Sequence, residues 1–153
     1  MLKIIISILV CLAVGFSSGL VTADSIPNWY ATLNKPFFNP PNWLFGPAWT
    51  ILYTLMGIAA GIIWNKGLEQ KIVKTALIIF VIQLVLNGLW TLIFFGLQNP
   101  PLALVEILIL WGMILFCMIR FSKINKTAAW LLLPYLLWVT FATALNFSIW
   151  QLN

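Results

Sequence analysis

Histidine is absent from the sequence, and charged side chains are scarce. The missing histidine excludes Ser-His-Asp triads, histidine zinc sites and an axial imidazole for haem. No other acid–base or nucleophilic constellation is evident, so we predict no conventional catalytic residue and no metal site. Only two cysteines occur, Cys11 and Cys117, each inside an apolar run, where a thiol is most simply a small buried side chain.

The shortage of charge also excludes a soluble fold. Charged residues make up 7% of the chain, against about 25% in soluble domains. Hydrophobic residues make up 63%, and the mean hydropathy is +1.05. The net charge of +5 comes from scattered residues, so it does not indicate a nucleic-acid surface. This composition is typical of an all-α integral membrane protein whose partner is the lipid bilayer.

Apolar stretches long enough to cross a bilayer fill most of the chain. A spanning helix needs about 20 mostly apolar residues. Five stretches qualify, at 4–23, 43–64, 74–97, 102–121 and 127–150. The polar segments between them are short, so we predict one domain, 1–153, formed by a bundle of five transmembrane helices. The first stretch also resembles a signal peptide, but its apolar run is longer than a signal core, and we interpret it as a retained helix.

The distribution of Lys and Arg predicts the orientation. With five spans, Lys35 lies on one face of the membrane and the other seven basic residues lie on the face of the N-terminus. Cytoplasmic loops carry the excess of Lys and Arg. We therefore predict a multi-pass protein, of a bacterial cell membrane, with a cytoplasmic N-terminus and an external C-terminus.

Polar and aromatic side chains form rows on three of the predicted helices. Polar groups in lipid-spanning helices usually face the bundle interior or a cavity. Helical spacing aligns each row on one face, and alternating helix direction brings the rows to the same outer half of the membrane. The rows are Trp49, Tyr53, Gly57 and Gly61; Gln83, Asn87 and Thr91 with Trp90; and Trp138, Ala142, Asn146 and Trp150.

The predicted outer loop, 24–42, is the longest connection. It carries four aromatic residues and four prolines, which favour a stiff segment packed on an apolar surface. Loops of this length in compact bundles are commonly functional. We interpret the loop as a lid over a pocket.

Each of these patterns has a simpler explanation. Trp64, Trp111, Trp130 and Trp150 fit the aromatic belts of membrane interfaces. The Asn and Gln side chains fit hydrogen bonds between helices, and the pairs Gly15/Gly19 and Gly57/Gly61 fit either packing within the bundle or a dimer seam. Glu106 fits either a functional carboxyl or a side chain that reaches to the interface.

Three motifs nonetheless resemble a known family. The first is Trp29-Tyr30-x-x-Leu33-x-Lys35-Pro36 followed by Pro40-Pro41-x-Trp43-x-Phe45-Gly46-Pro47-x-Trp49-Thr50-x-Leu52-Tyr53. The second is Gln83-Leu84-x-Leu86-Asn87-x-x-Trp90 followed by Asn99-Pro100-x-x-Ala103. The third is Pro134-Tyr135-x-x-Trp138-Val139-x-Phe141-Ala142-x-x-Leu145-Asn146-x-x-Ile149-Trp150. In this order they resemble the TspO/MBR family, which comprises bacterial tryptophan-rich sensory proteins and the mitochondrial translocator protein, or peripheral-type benzodiazepine receptor.

The resemblance implies a five-helix bundle, usually a homodimer, that binds tetrapyrroles such as protoporphyrin IX and benzodiazepine-type ligands beneath the first loop. It implies no obligatory cofactor, a porphyrin being ligand or substrate. The implied site residues are Tyr30, Pro41, Trp49, Tyr53, Asn87, Trp90, Trp138 and Ala142, and the polar row adds Asn146. We expect Trp49 and Trp138 to sandwich a flat macrocycle. Lys35, the one outer cation, fits either a partner for the carboxylates of that ligand or an ordinary interfacial lysine.

The chain departs from the family at one motif. Eukaryotic members carry a sterol motif of the type Leu/Val-x-Tyr-x-Lys/Arg near the C-terminus. Here Phe147 and Gln151 stand where Tyr and the basic residue would be, so sterol binding through this motif is not expected. Three functions remain: a porphyrin sensor, scavenger or transporter; light-dependent oxidative degradation of bound porphyrin; and a structural or partner-binding membrane protein.

Overall fold

The structure, a computed structural model, describes residues 1–153 and consists of helices without strands. Five helical segments are long and apolar enough to cross a membrane, which confirms the predicted all-α membrane bundle. The helices are α1 (Leu2–Asn28), α2 (Asn42–Trp64), α3 (Lys71–Thr91), α4 (Pro100–Ser122), α5 (Lys126–Leu131) and α6 (Leu133–Leu152). We call the end of the bundle that carries the α1–α2 connection the loop end.

The predicted boundary between the first helix and the loop was wrong. α1 continues to Asn28, and a 3₁₀ turn, Tyr30–Thr32, follows. The side chain of Asn28 donates to the carbonyl of Asp24 at 2.8 Å, within this extra turn. The prediction ended the helix where polar residues begin, but helical hydrogen bonding continues wherever the backbone allows it. The α1–α2 connection is therefore 29–41 instead of 24–42.

Two other predicted helices are interrupted. After Thr91 the third span continues as a π-helical turn, Leu92–Gly96, which adds a residue to the turn. The fifth span is divided into α5 and α6 at Leu132. Pro134, at the second position of α6, has no N–H for a helical hydrogen bond, so it favours a helix start at this point.

Glycines set the contact between α1 and α2 at the end opposite the loop end. A Cβ on Gly57 or Gly61 would meet the backbone of Ile8 or Ile4. These two glycines therefore let the helix backbones approach closely, which is the recurring use of small residues in membrane bundles. Of the two explanations for the pair Gly57/Gly61, the structure supports packing within the bundle.

Neither Trp111 nor Glu106 lies at the membrane interface, which was the simpler explanation for each side chain. Trp111 occupies the midpoint of α4, not an end, and its indole N–H donates to the hydroxyl of Thr140 on α6 at 2.8 Å. Glu106 is only 9% exposed, and both carboxyl oxygens are buried without a hydrogen-bond partner. Its side chain therefore lies inside the bundle and does not reach the interface.

Candidate functional site

A cavity of about 630 Å³ lies in the half of the bundle nearest the loop end. Its walls are formed by α1, α2, the end of α3 with its π-helical turn, and α6. Pockets that hold small molecules commonly measure about 300–1,000 Å³ and have mostly apolar walls with a few polar groups. The volume and the lining of this cavity fall within that description.

The structure places most of the predicted site residues in the cavity wall. All but Tyr30, which lies in the α1–α2 connection, sit on one of the three helical rows, and the bundle turns those rows toward each other. The predicted residues in the wall are Tyr30, Trp49, Tyr53, Trp90, Trp138, Ala142 and Asn146. The rows were thus correctly expected to converge.

Trp49 and Trp138 contact each other directly instead of flanking a slot. Their ring centroids are 6.2 Å apart, and the ring planes stand at 84°. This edge-to-face geometry is a favourable packing of two aromatic rings. A macrocycle between two indoles needs parallel rings with a gap between them, and the two rings do not have that arrangement here.

Asn87 lies below the cavity and does not line it, contrary to the prediction. The hydroxyl of Tyr53 donates to Oδ1 of Asn87, and Nδ2 of Asn87 donates to the hydroxyl of Tyr135 at 2.9 Å. The hydroxyl of Tyr135 in turn donates to Oε1 of Gln83 at 2.8 Å. These four buried side chains join α2, α3 and α6, and we call them the polar network. For Asn87 the simpler explanation, a hydrogen bond between helices, is the one the structure supports.

Asn146 orients an aromatic side chain of the wall. Its Oδ1 accepts from the indole N–H of Trp90 at 3.0 Å, and its Nδ2 donates to the carbonyl of Pro100 at 2.9 Å. Trp90 also stacks on Phe94, with centroids 5.1 Å apart and planes at 24°. The Trp90 indole is therefore fixed on two sides.

The α1–α2 connection closes the cavity through Tyr30. The hydroxyl of this fully buried tyrosine donates to Asn39 at 2.6 Å, and its ring packs on Phe95. The ammonium of Lys35 lies 4.9 Å from the centre of the Tyr30 ring and donates to the carbonyls of Tyr30 and Leu33 at 3.0 and 3.1 Å. Pro41 is exposed just before α2 and is not part of the wall.

Lys35 is therefore not placed to act as the expected partner for the carboxylates of a ligand. Its ammonium holds the backbone of the connection, and the side chain is not part of the cavity wall. A second attachment joins the connection to the end of α6. The Asn34 amide N–H donates to Oδ1 of Asn153 at 3.1 Å, and Nδ2 of Asn153 donates to the Asn34 carbonyl at 2.9 Å. These contacts fix the connection over the cavity.

The cavity wall also includes residues that do not belong to the three predicted rows. α1 contributes one whole side, including Phe16 and Gly19, and the π-helical turn contributes Phe94 and Phe95. A Cβ on Gly15 would lie 2.5 Å from the ring of Tyr53, so this glycine makes room for a wall residue. The Gly15/Gly19 spacing was a signal for this face, although the alternatives considered were packing and a dimer seam.

Comparison with known proteins agrees with this architecture. A sequence model of the TspO/MBR family matches residues 7–151. The tryptophan-rich protein TspO of Archaeoglobus fulgidus is 49% identical over 99% of this chain and 97% of its own length. The translocator protein of Homo sapiens is 39% identical over 82% of this chain and 75% of its own length. Since the family match covers nearly every residue of the bundle and of the cavity wall, the protein belongs to the TspO/MBR family.

Proposed function

We propose that the protein is a membrane receptor for flat, apolar aromatic molecules of the tetrapyrrole class, such as protoporphyrin IX. The observation that carries the proposal is the cavity, which combines three tryptophans with phenylalanine and tyrosine rings around about 630 Å³. An aromatic macrocycle on such a wall gains apolar burial and offset or edge-to-face contacts with the rings. Smaller aromatic ligands of the benzodiazepine type suit the same wall for the same reason.

The biological role that we propose is sensing, scavenging or transport of such a ligand. Two relatives carry names that support sensing and transport respectively: the tryptophan-rich sensory protein of Cereibacter sphaeroides and the translocator protein of Homo sapiens. The excess of Lys and Arg at the end opposite the loop end supports a cytoplasmic N-terminus, which would place the cavity in the outer half of the membrane.

A titration with protoporphyrin IX in the dark tests the proposal. The purified protein, reconstituted in lipid nanodiscs, should show saturable quenching of tryptophan fluorescence. Trp138→Ala should weaken binding by about 5- to 150-fold, the equivalent of about 1–3 kcal/mol for losing a large buried contact. Trp130→Ala is the matched control, because Trp130 is an exposed residue of α5 outside the cavity. Binding that never saturates, or equal losses in both variants, would refute the assigned site.

The contact between Trp49 and Trp138 supports a second function, light-dependent oxidation of bound porphyrin. An illuminated porphyrin in air generates reactive oxygen or oxidises a nearby indole, and this chemistry needs neither histidine nor a metal ion. Both indoles stand in the cavity wall, so a ligand on that wall would lie next to them. Slower loss of pigment under light in a variant that lacks both indoles, at unchanged binding, would separate this function from binding alone.

A further inference from the structure

The end of the bundle opposite the loop end carries a strong excess of positive charge. Seven basic residues that are scattered along the sequence are gathered there by the fold, and we call them the basic cluster: Lys3, Lys66, Lys71, Lys74, Arg120, Lys123 and Lys126. Of the three acidic residues, Asp24 lies toward the loop end and Glu106 lies inside the bundle. Glu69 is therefore the one carboxylate at this end, and most of the cluster has no acidic side chain with which to pair.

The stability of the helices does not explain where four of these cations lie. They occupy the first turns of three helices, Lys3 on α1, Lys71 and Lys74 on α3, and Lys126 on α5. None of these turns contains an acidic residue. A cation near the N-terminus of a helix opposes the helix dipole, which favours negative charge at that position. Like charges at one end of a bundle also repel each other. An anion that contacts this end would relieve both effects.

Two tryptophans lie beside members of the basic cluster. The ammonium of Lys3 is 5.7 Å from the centre of the Trp64 ring, which ends α2. Trp130 is exposed on α5, one turn after Lys126. Tryptophan is enriched at the level of the lipid headgroups, where its ring is half in water and half in apolar surroundings. The basic cluster is therefore at the depth at which phospholipid phosphates lie.

From its charge, its position and its depth, we propose that the basic cluster is a binding surface for the headgroups of anionic phospholipids. Clusters of about four to eight Lys and Arg beside a transmembrane helix are typical of such binding. The headgroups supply the negative charge that the chain lacks at this end. Because the cluster extends over three helix starts, the end of α4 and two connections, a layer of headgroups can contact all of it, whereas one small anion cannot.

Thermal unfolding in mixed micelles tests the proposal. The protein in a neutral detergent receives phosphatidylglycerol or phosphatidylcholine with the same acyl chains, and unfolding is followed by tryptophan fluorescence. We expect the midpoint of unfolding to be at least about 4 °C higher with phosphatidylglycerol. This gain should shrink as salt is added, because salt screens exposed charges. Equal midpoints with the two lipids, or a gain that does not respond to salt, would overturn the proposal.

A triple variant, with Lys71→Gln, Lys74→Gln and Lys126→Gln, separates lipid binding from folding. All three lysines are exposed at helix starts. With phosphatidylcholine, their removal should leave the midpoint unchanged or raise it, because cations at these positions oppose the helix dipole. The gain from phosphatidylglycerol should fall by about half, since three of the seven cations are lost. Arginine at the same three positions is the matched control and should keep the full gain. A glutamine variant that keeps the full gain, or that loses stability equally in both lipids, would overturn the proposal.

Two soluble anions distinguish a lipid surface from other partners. Inorganic phosphate and polyglutamate are added to the phosphatidylcholine micelles at the same concentration of negative charge as phosphatidylglycerol provides. We expect neither to raise the midpoint as far as the lipid does. If polyglutamate matched the lipid and the glutamine variant removed its effect, the basic cluster would be a surface for an acidic protein. If phosphate matched the lipid, the cluster would bind a free anion. Either result would overturn the assignment to phospholipid headgroups.

Discussion

The polar network should stabilise the bundle more than it contributes to binding, and Asn87→Leu tests this. The substitution keeps the size of the side chain but removes an acceptor for Tyr53 and a donor to Tyr135. Hydrogen bonds between membrane helices contribute about 0.6 kcal/mol on average and about 1.7 kcal/mol at most. The Tyr53 hydroxyl, left buried without an acceptor, adds about 1–3 kcal/mol. We therefore expect Asn87→Leu to lower the free energy of unfolding by about 2–5 kcal/mol.

The measurement is unfolding in mixed micelles with increasing SDS, followed by circular dichroism and tryptophan fluorescence. Asn65→Leu is the control, because Asn65 is exposed at the end of α2, and surface substitutions of this kind change stability by about 0.5 kcal/mol or less. Folded Asn87→Leu should keep an affinity for protoporphyrin IX close to that of the unchanged protein, since Asn87 is outside the cavity wall.

A double-mutant cycle with Tyr53→Phe separates hydrogen bonding from packing. In the double variant neither side chain is left with an unmatched polar group, and such paired replacements are nearly neutral. The combined loss should therefore fall short of the sum of the single losses by about 0.5–3 kcal/mol, the usual coupling of contacting residues. Additive losses would show that the two side chains act independently, and the reasoning would be refuted.

Three further outcomes are expected. Gly57→Ala should lower the free energy of unfolding in SDS by about 1–3 kcal/mol, because the added methyl group forces α1 away from α2. Gly112→Ala, with open space around it, should change this free energy little. Equal effects of the two substitutions would contradict the close-approach argument. Asn34→Cys should react with an impermeant thiol reagent on intact cells, since the native cysteines are buried; labelling only after lysis would reverse the orientation. Under light and air, the variant with both Trp49→Phe and Trp138→Phe should degrade bound protoporphyrin IX more slowly, and an unchanged rate at equal binding would exclude an oxidative role for these indoles.

The five spans and the convergence of the three rows could be predicted because both follow from apolar length and helical period. Trp49 and Trp138 show this, since their spacing along two helices was sufficient to bring them to one wall. Helix ends were less predictable. Polarity at Asp24 suggested a loop, but the backbone remains helical to Asn28, because leaving the apolar layer does not by itself end a helix.

The role of a side chain within a row depended on neighbours that the sequence does not specify. Asn87 lies on the same helical face as Gln83, but its amide donates a hydrogen bond to Tyr135 on another helix. The side chain of Asn87 is therefore held away from the cavity. Lys35 was assigned by its charge, whereas the local path of the chain offers it two carbonyls. The π-helical turn is a third case, because no residue pattern in the sequence predicted it. Its extra residue brings both Phe94 and Phe95 into the cavity wall.

α1 packs closely on α2 at one end and forms a wall of the cavity toward the other, and this difference links the cavity to the bilayer. α1 has 27 residues, so it is roughly 40 Å long, whereas the hydrocarbon layer is about 30 Å thick. Helices that exceed this thickness respond by tilting, more strongly in thinner membranes. Since α1 is held by Gly57 and Gly61 at one end and forms a cavity wall toward the other, added tilt moves that wall relative to α2. A change in the acyl-chain length of the host membrane is therefore expected to change the width of the cavity.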